Sequence, residues 1–180
     1  LKGGNELKAP RRINIPGDIS SAAFFIVAAT VIANSEVVIK NVNLNPSRMG
    51  AVDALARMGG CIKILKSNRN TSRAEEPSGD ILVRGSQLKG IRIGRKEIPS
   101  LIDELPIIMV AASLAKGKTV LSGIGELRVK ETDRIASMTK NLKRMGVSIE
   151  VSKLKGDSEE IIIYGREELN GAPLKSFGDH

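Results

Sequence analysis

Two short segments collect residue types that could move protons and hold anions. The first is Ile102-Asp103-Glu104-Leu105-Pro106, where two carboxylates open an otherwise apolar stretch. A helix start leaves amides unpaired and carries partial positive charge, which favours an ionised carboxylate of the kind a general base needs. Pro106 suits a first turn, where its missing N–H costs nothing. A structural alternative is open here. An aspartate ahead of a helix is commonly a cap that accepts a backbone amide, and Asp18 stands in the equivalent place before another apolar stretch.

The second segment, Glu126-Leu127-Arg128-Val129-Lys130-Glu131-Thr132-Asp133-Arg134, follows Gly123-Ile124-Gly125. Read as the opening of an amphipathic helix, it places Lys130 and Arg134 on one face with Glu131 beside Arg134. Free amides, a lysine and an arginine together make an anion site. A glutamate among them is held charged, or becomes a proton carrier once substrate arrives. The alternative is an exposed helix start laced with ion pairs. Other polar residues invite less chemistry. Ser20 and Ser21 could touch a phosphate but are expected to cap. Arg48 and Arg57 are expected as surface charges, and Cys61, in a β-branched run, as buried and inert.

The elements that must position these residues come in two copies. Ile15-Pro16 recurs as Ile98-Pro99 and Ala28-Ala29 as Ala111-Ala112, both 83 residues on. Leu55 to Gly59 recurs as Leu142 to Gly146, 87 on, and Ile81 to Gly85 as Ile161 to Gly165, 80 on. Gly178-Asp179 resembles Gly17-Asp18, as if a third copy began there. Each copy reads as an apolar helix (about 19–33 and 103–116), a β-rich run (Val37 to Lys40, Thr119 to Leu121) and an amphipathic helix ending at Met-Gly. Pro46 suits the first turn of the amphipathic helix in copy one. Two strand-like runs close each unit: Cys61 to Leu65 with Asp80 to Arg84, and Val147 to Val151 with Glu160 to Tyr164. Lys66 to Gly79 reads as a loop. The fold class is α/β (α+β), and the helix bearing Ala-Ala, apolar nearly all round, is expected at the centre. Unit one is expected over 15–97 and unit two over 98–177.

Composition narrows the chemistry. With 2% aromatic residues and no Trp, the core of this 180-residue chain is aliphatic and stacking platforms for single-stranded nucleic acid are disfavoured. One cysteine, Cys61, excludes an internal disulfide, and one histidine, His180, excludes a His-based zinc site. The net charge of +8 lies wholly in residues 1–97, where 16 Lys/Arg face 8 Asp/Glu. That field suits an anionic partner, nucleic acid or phosphorylated metabolite. The longest apolar run, Ile19 to Ala33, is too short and too interrupted by serines to span a bilayer. The first twelve residues lack the features of a signal peptide. A chain that starts without Met and stops at Gly-Asp-His is expected to be a piece of a longer protein.

Ile15-Pro-Gly-Asp-Ile-Ser-Ser-Ala-Ala-Phe-Phe25, Leu44-Asn-Pro-Ser-Arg48, Leu101-Ile-Asp-Glu-Leu-Pro106, Glu126 to Arg134 and Gly178-Asp-His180 resemble, in order, motifs of the 5-enolpyruvylshikimate-3-phosphate synthase family. The resemblance implies two domains, each of three βαβαββ units around buried parallel helices. Residues 1–14 would be the exit from a first domain, followed by two units of the second and, at 178–180, the start of the third. It implies transfer of the enolpyruvyl group of phosphoenolpyruvate to the 5-hydroxyl of shikimate 3-phosphate, on the route to chorismate and the aromatic amino acids. No metal or organic cofactor would take part. The missing domain and repeat would be its partners, with no nucleic acid or membrane. The whole enzyme would be monomeric and cytoplasmic. Position by position, Asp103 resembles the proton acceptor, Glu131 a second proton carrier, Lys130 and Glu126 contacts to shikimate 3-phosphate, Arg134 a clamp on phosphoenolpyruvate, and His180 a histidine beside a further arginine. The piece alone is expected to be inactive. Two rivals are weighed: a sister enolpyruvyl transferase acting on UDP-N-acetylglucosamine, and a basic nucleic-acid-binding module.

Overall fold

The computed structural model describes residues 3–4, 13–68, 76–153 and 159–179. In the first unit the order is α1 (Ile19–Val31), β1 (Glu36–Asn43), α2 (Gly50–Arg57), β2 (Cys61–Asn68) and β3 (Ser78–Arg84). The second runs β4 (Arg92–Ile93), α3 (Leu105–Ser113), β5 (Lys118–Ser122), α4 (Arg134–Arg144), β6 (Ser148–Lys153) and β7 (Glu159–Tyr164).

The two sheets share one strand order, β1-β3-β2 and β4-β5-β7-β6, with the last strand of each unit inserted between the others. Alternate residues of those inserted strands, Ile81 and Val83 in β3, Ile161 and Ile163 in β7, are fully buried, as period-two geometry requires. β4 runs parallel to β5. In unit one its counterpart is a single bridge: the Gly17 amide donates to Asn41 O at 2.7 Å, and Gly17 O accepts from the Asn43 amide at 2.8 Å. The pattern in unit two is βαβαββ.

Both apolar helices carry one buried hydroxyl, and each is satisfied alike. Thr30 Oγ1 donates to Ile26 O and Ser113 Oγ to Met109 O, both at 2.7 Å, so a polar group sits in the core without a lost hydrogen bond. α3 packs against α1, α2, α4 and β7. It buries Leu105, Ile108, Met109, Ala111 and Ala112 completely. Each buried leucine or isoleucine contributes about 1.5–3 kcal/mol relative to exposure. α1 departs from the expected central position. Its Phe24 and Phe25, and Ile32 just past its end, are 58–65% exposed, because the elements packed on it cover the face of Ile19, Ala22, Ala23, Ile26, Val27, Ala29 and Thr30.

Helix ends differ from the sequence reading for local reasons. α1 stops at Val31 rather than 33. α3 spans only Leu105–Ser113, with Pro106 in its first turn and residues 98–104 forming turns ahead of it. Pro46 opens a separate one-turn 3-10 helix, Pro46–Arg48, and α2 begins only at Gly50. The Met-Gly ends of α2 and α4 are as expected: Gly59 and Gly146 adopt φ of +98° and +87°, the left-handed cap. The segment read as a loop is partly strand, since β2 continues to Asn68 and β3 starts at Ser78; 69–75 lie outside the described residues. Cys61 is half-buried rather than buried, because β2 is an edge strand.

Candidate functional site

α1 and α3 start side by side. At that end four segments converge: the start of α1, the turn before α2, the turn before α3, and the long β5–α4 connection. Asp18 caps α1, accepting the amides of Ser20 at 3.2 Å and Ser21 at 2.9 Å. Partial burial opposes ionisation of Asp18, but the hydrogen bonds from Ser21 and Ser20, with Arg48 nearby, outweigh it and hold the carboxyl below its ordinary value.

Asp103 does not repeat that role. Glu104 holds the cap position of α3, and its side chain accepts no amide of the helix. Instead Glu104, only 4% exposed, accepts the Ser20 hydroxyl at 2.5 Å. Asp103 stands half-exposed in the turn, with a cation facing each oxygen. Lys130 Nζ lies 3.4 Å from Oδ1 and Arg48 Nη1 3.8 Å from Oδ2. Lys130 also lies 3.4 Å from Glu126.

The 126–134 segment brings the expected residues to the site by a different backbone. Gly125–Val129 is a 3-10 helix, Lys130 is extended, and α4 starts only at Arg134. The expected helical face shared by Lys130 and Arg134 is therefore absent. The physical reason is Asp133, whose Oδ1 accepts the Ala136 amide at 2.9 Å and so fixes the helix start at Arg134, four residues after Lys130. Glu131 does lie beside Arg134, at 2.8 Å. Arg134 is 9% exposed, and its Nε and Nη2 donate to Asp179 at 2.8 and 3.0 Å. Hydrogen bonding to Asp179, against some desolvation, and the charges of Asp179, Glu131 and Asp103 hold its guanidinium firmly protonated. Asp103 thus feels Arg134 as well as Lys130 and Arg48. His180 lies outside the described residues.

The sequence reading passed over Arg128. Its Nε donates to both oxygens of the buried Glu159 at 2.8 Å, and its Nη1 to Asp133 Oδ2 at 2.7 Å. It ties the connection to the start of β7 and to the cap of α4. Arg48 is also no idle surface charge: its Nη2 donates to Ser20 Oγ at 2.8 Å. Arg57, by contrast, is half-exposed as expected and pairs with Glu97.

Asp133 and Asp18 give the fold an acid limb. Burial opposes ionisation of Asp133, but the Ala136 amide and the Arg128 guanidinium prevail, so its carboxyl sits below the usual aspartate value. A lowered folded pKa contributes stability that is complete above the unfolded value, about 3.9, and is lost as pH falls through the folded one. Melting temperature should therefore fall below about pH 4. Asp133→Asn, which keeps the cap acceptor but removes the titration, should shallow that fall. Melts between pH 7 and 2 check this; an unchanged acid limb in Asp133→Asn would contradict it.

A crevice of about 660 Å³ lies at the other end of the helices, between residues including Val31, Asn34, Leu114, Lys116 and Arg166. Its charged lining is Lys116, Arg166 and the single carboxylate Glu167, without the paired carboxylates of the Asp103 end. Among the described residues, no group of three or more His, Cys, Asp or Glu is placed to hold a metal ion, and no helix is long and apolar enough to cross a membrane.

Residues 1–180 match the family model for EPSP synthase (3-phosphoshikimate 1-carboxyvinyltransferase). Among curated proteins, the 3-phosphoshikimate 1-carboxyvinyltransferase of Geobacter sulfurreducens is 49% identical over 99% of this chain and 39% of its own length. That of Geotalea daltonii is 48% identical over 100% of this chain and 40% of its own. A solved EPSP synthase from Acinetobacter baumannii superposes with a TM-score of 0.77 at 39% identity, covering 90% of this chain and 35% of that one. The chain thus spans about 40% of the length of the curated relatives it matches.

Proposed function

The chain belongs to the EPSP synthase family, and from that membership we propose that it forms one wall of the cleft in a 3-phosphoshikimate 1-carboxyvinyltransferase. The reaction joins the enolpyruvyl group of phosphoenolpyruvate to the 5-hydroxyl of shikimate 3-phosphate and releases phosphate, in the shikimate pathway of the cytoplasm. The observation that carries the reading is the half-exposed Asp103 carboxylate with Lys130 facing one of its oxygens and Arg48 the other.

Each proposed role follows from that arrangement. Both substrates are anions, and Lys130 and Arg134 supply fixed positive charge to receive them. Asp103 accepts the proton of the 5-hydroxyl as the hydroxyl oxygen bonds to C2 of phosphoenolpyruvate, while C3 takes a proton from Glu131, protonated once substrate is bound. In the following elimination C3 returns a proton to Glu131, the C2–O bond to phosphate breaks, and the departing phosphate carries away the hydroxyl proton. Glu131, held against Arg134 and 48% exposed, is the second proton carrier. Glu126, through Lys130, faces shikimate 3-phosphate, and Arg134 with its planar donors clamps phosphoenolpyruvate. No metal or organic cofactor enters these steps. The rest of a longer, monomeric polypeptide supplies the facing domain, a third repeat after the units at 15–97 and 98–177, and the neighbours of His180.

Phosphate release assayed with both substrates tests this. The full-length protein should turn over, whereas the 180-residue chain alone should not, because one wall cannot close a cleft. Arg134→Lys in the full-length protein should raise the phosphoenolpyruvate requirement about tenfold and leave that for shikimate 3-phosphate near normal. Turnover by the chain alone, or an Arg134→Lys effect confined to shikimate 3-phosphate, would refute the assignment.

A further inference from the structure

We propose that Arg48 is a positioning residue for Asp103, reaching from the first repeat to orient the carboxylate of the second. The inference rests on the reading of Asp103 as the general base.

The geometry has three links. First, the backbone under Arg48 is fixed. Asn45 caps the short Pro46–Arg48 helix, its Oδ1 accepting the Ser47 amide at 3.0 Å and the Ser47 hydroxyl at 2.8 Å. Second, one arm of the guanidinium is anchored. Nη2 donates to Ser20 Oγ at 2.8 Å and lies 3.9 Å from Glu104 Oε1, which itself accepts the Ser20 hydroxyl. Glu104 is almost fully buried, so this anchor cannot drift into solvent. Third, the other arm, Nη1, is left 3.8 Å from Asp103 Oδ2. A planar guanidinium with one arm held has its second arm aimed, which a flexible ammonium would not.

Asp103 needs such a device. It sits in a turn ahead of α3 and takes no part in capping that helix. A base must be held close to one orientation to abstract a proton efficiently. Lys130 restrains Oδ1 from the β5–α4 connection, and Arg48 restrains Oδ2 from the β1–α2 connection. These connections hold the same place in the two repeats, and Arg48 and Lys130 lie 82 residues apart, close to the repeat offset. The duplicated loop thus supplies one cation per repeat to a single carboxylate. At 3.8 Å the Arg48 contact is too long for a hydrogen bond, so it acts by charge and orientation.

A double-mutant cycle in the full-length protein is the test, with kcat, both KM values and melting temperature measured on the same samples. Arg48→Gln should lower kcat about tenfold with KM values within about twofold. Arg48→Lys, which keeps the charge but not the plane, should recover part of the loss. In an Asp103→Asn background, Arg48→Gln should cost less than about twofold more, because the group it orients is already gone. Three outcomes overturn the proposal: full multiplicative loss in that background, which would mean direct contact with substrate; a rise in KM alone; or a kcat loss matched by lower melting. If Asp103→Asn itself leaves kcat unchanged, the general-base reading fails first, and the positioning role with it.

Discussion

Asp103→Asn in the full-length protein should lower turnover about a hundredfold or more while both substrates still bind and the melting temperature stays within about 2 °C. Asparagine keeps the shape of aspartate and can hydrogen-bond, but it accepts no proton at neutral pH. The geometry sharpens this expectation. Were Asp103 a helix cap, its loss would cost about 0.5–2 kcal/mol, and melting and activity would fall together. But the cap position belongs to Glu104, and what faces the Asp103 oxygens is Lys130 and Arg48. Both ion pairs are long and partly exposed, so their loss should cost no more than about 1 kcal/mol. Turnover, both KM values and melting temperature on one preparation decide the matter. Normal turnover by Asp103→Asn, or loss of activity in step with melting, would remove Asp103 from the chemistry.

What could be read from the sequence was whatever local chemistry or the repeat dictated. Met58-Gly59 and Met145-Gly146 announce two helix ends, because a left-handed cap needs glycine wherever it occurs. The apolar runs Ile81 to Val83 and Ile161 to Ile163 announce two strands, but which residues of each face the core shows only in the fold. Asp103, Lys130, Glu131 and Arg134 could be singled out by type, and they do meet at one end of the helices. How they meet could not be read. Residues 126–134 have a composition compatible with helix. Only the Asp133 carboxylate on the Ala136 amide, clamped by Arg128 on the buried Glu159, decides that helix begins at Arg134. Arg48 was illegible for another reason: its partners Ser20 and Glu104 are 28 and 56 residues away in sequence, and no local pattern encodes them. β4, two residues long, offers too little periodicity to register. The exposed Phe24 and Phe25 face of α1 follows from what packs on it, and not from its own uniformly apolar sequence.

The largest structural effect should come from Gly165→Ala. A Cβ at Gly165 would lie 1.7 Å from Ala115 O and 2.9 Å from Ala112 O, both backbone atoms that no rotamer change can move aside. The approach is close because the end of β7 is stitched to the end of α3. The Gly165 amide donates to Gly117 O and the Arg166 amide to Ser113 O, both at 2.9 Å. The same stitch occurs in unit one, where Gly85 donates to Ser35 O and Ser86 to Thr30 O at 2.8 Å, and a Cβ at Gly85 would lie 2.3 Å from Ile32 O. The glycine that ends each repeated Ile-to-Gly run is therefore required by strand-to-helix packing. Relieving the Gly165 clash means opening the α3–β7 contact, in which Ala111, Ala112, Ile161 and Ile163 are all fully buried. The expected cost is about 3 kcal/mol or more, at the upper end for overpacked sites, and far above the 0.4–1 kcal/mol that alanine returns by restricting the unfolded chain. Gly171→Ala is the control: nothing lies within 4 Å of its Cβ, so its stability should change by no more than about 0.5 kcal/mol. Urea denaturation of the two variants beside the parent protein measures both. Similar midpoints for Gly165→Ala and Gly171→Ala would mean that the helix end yields freely, and that the repeated glycine is not there to admit the carbonyl.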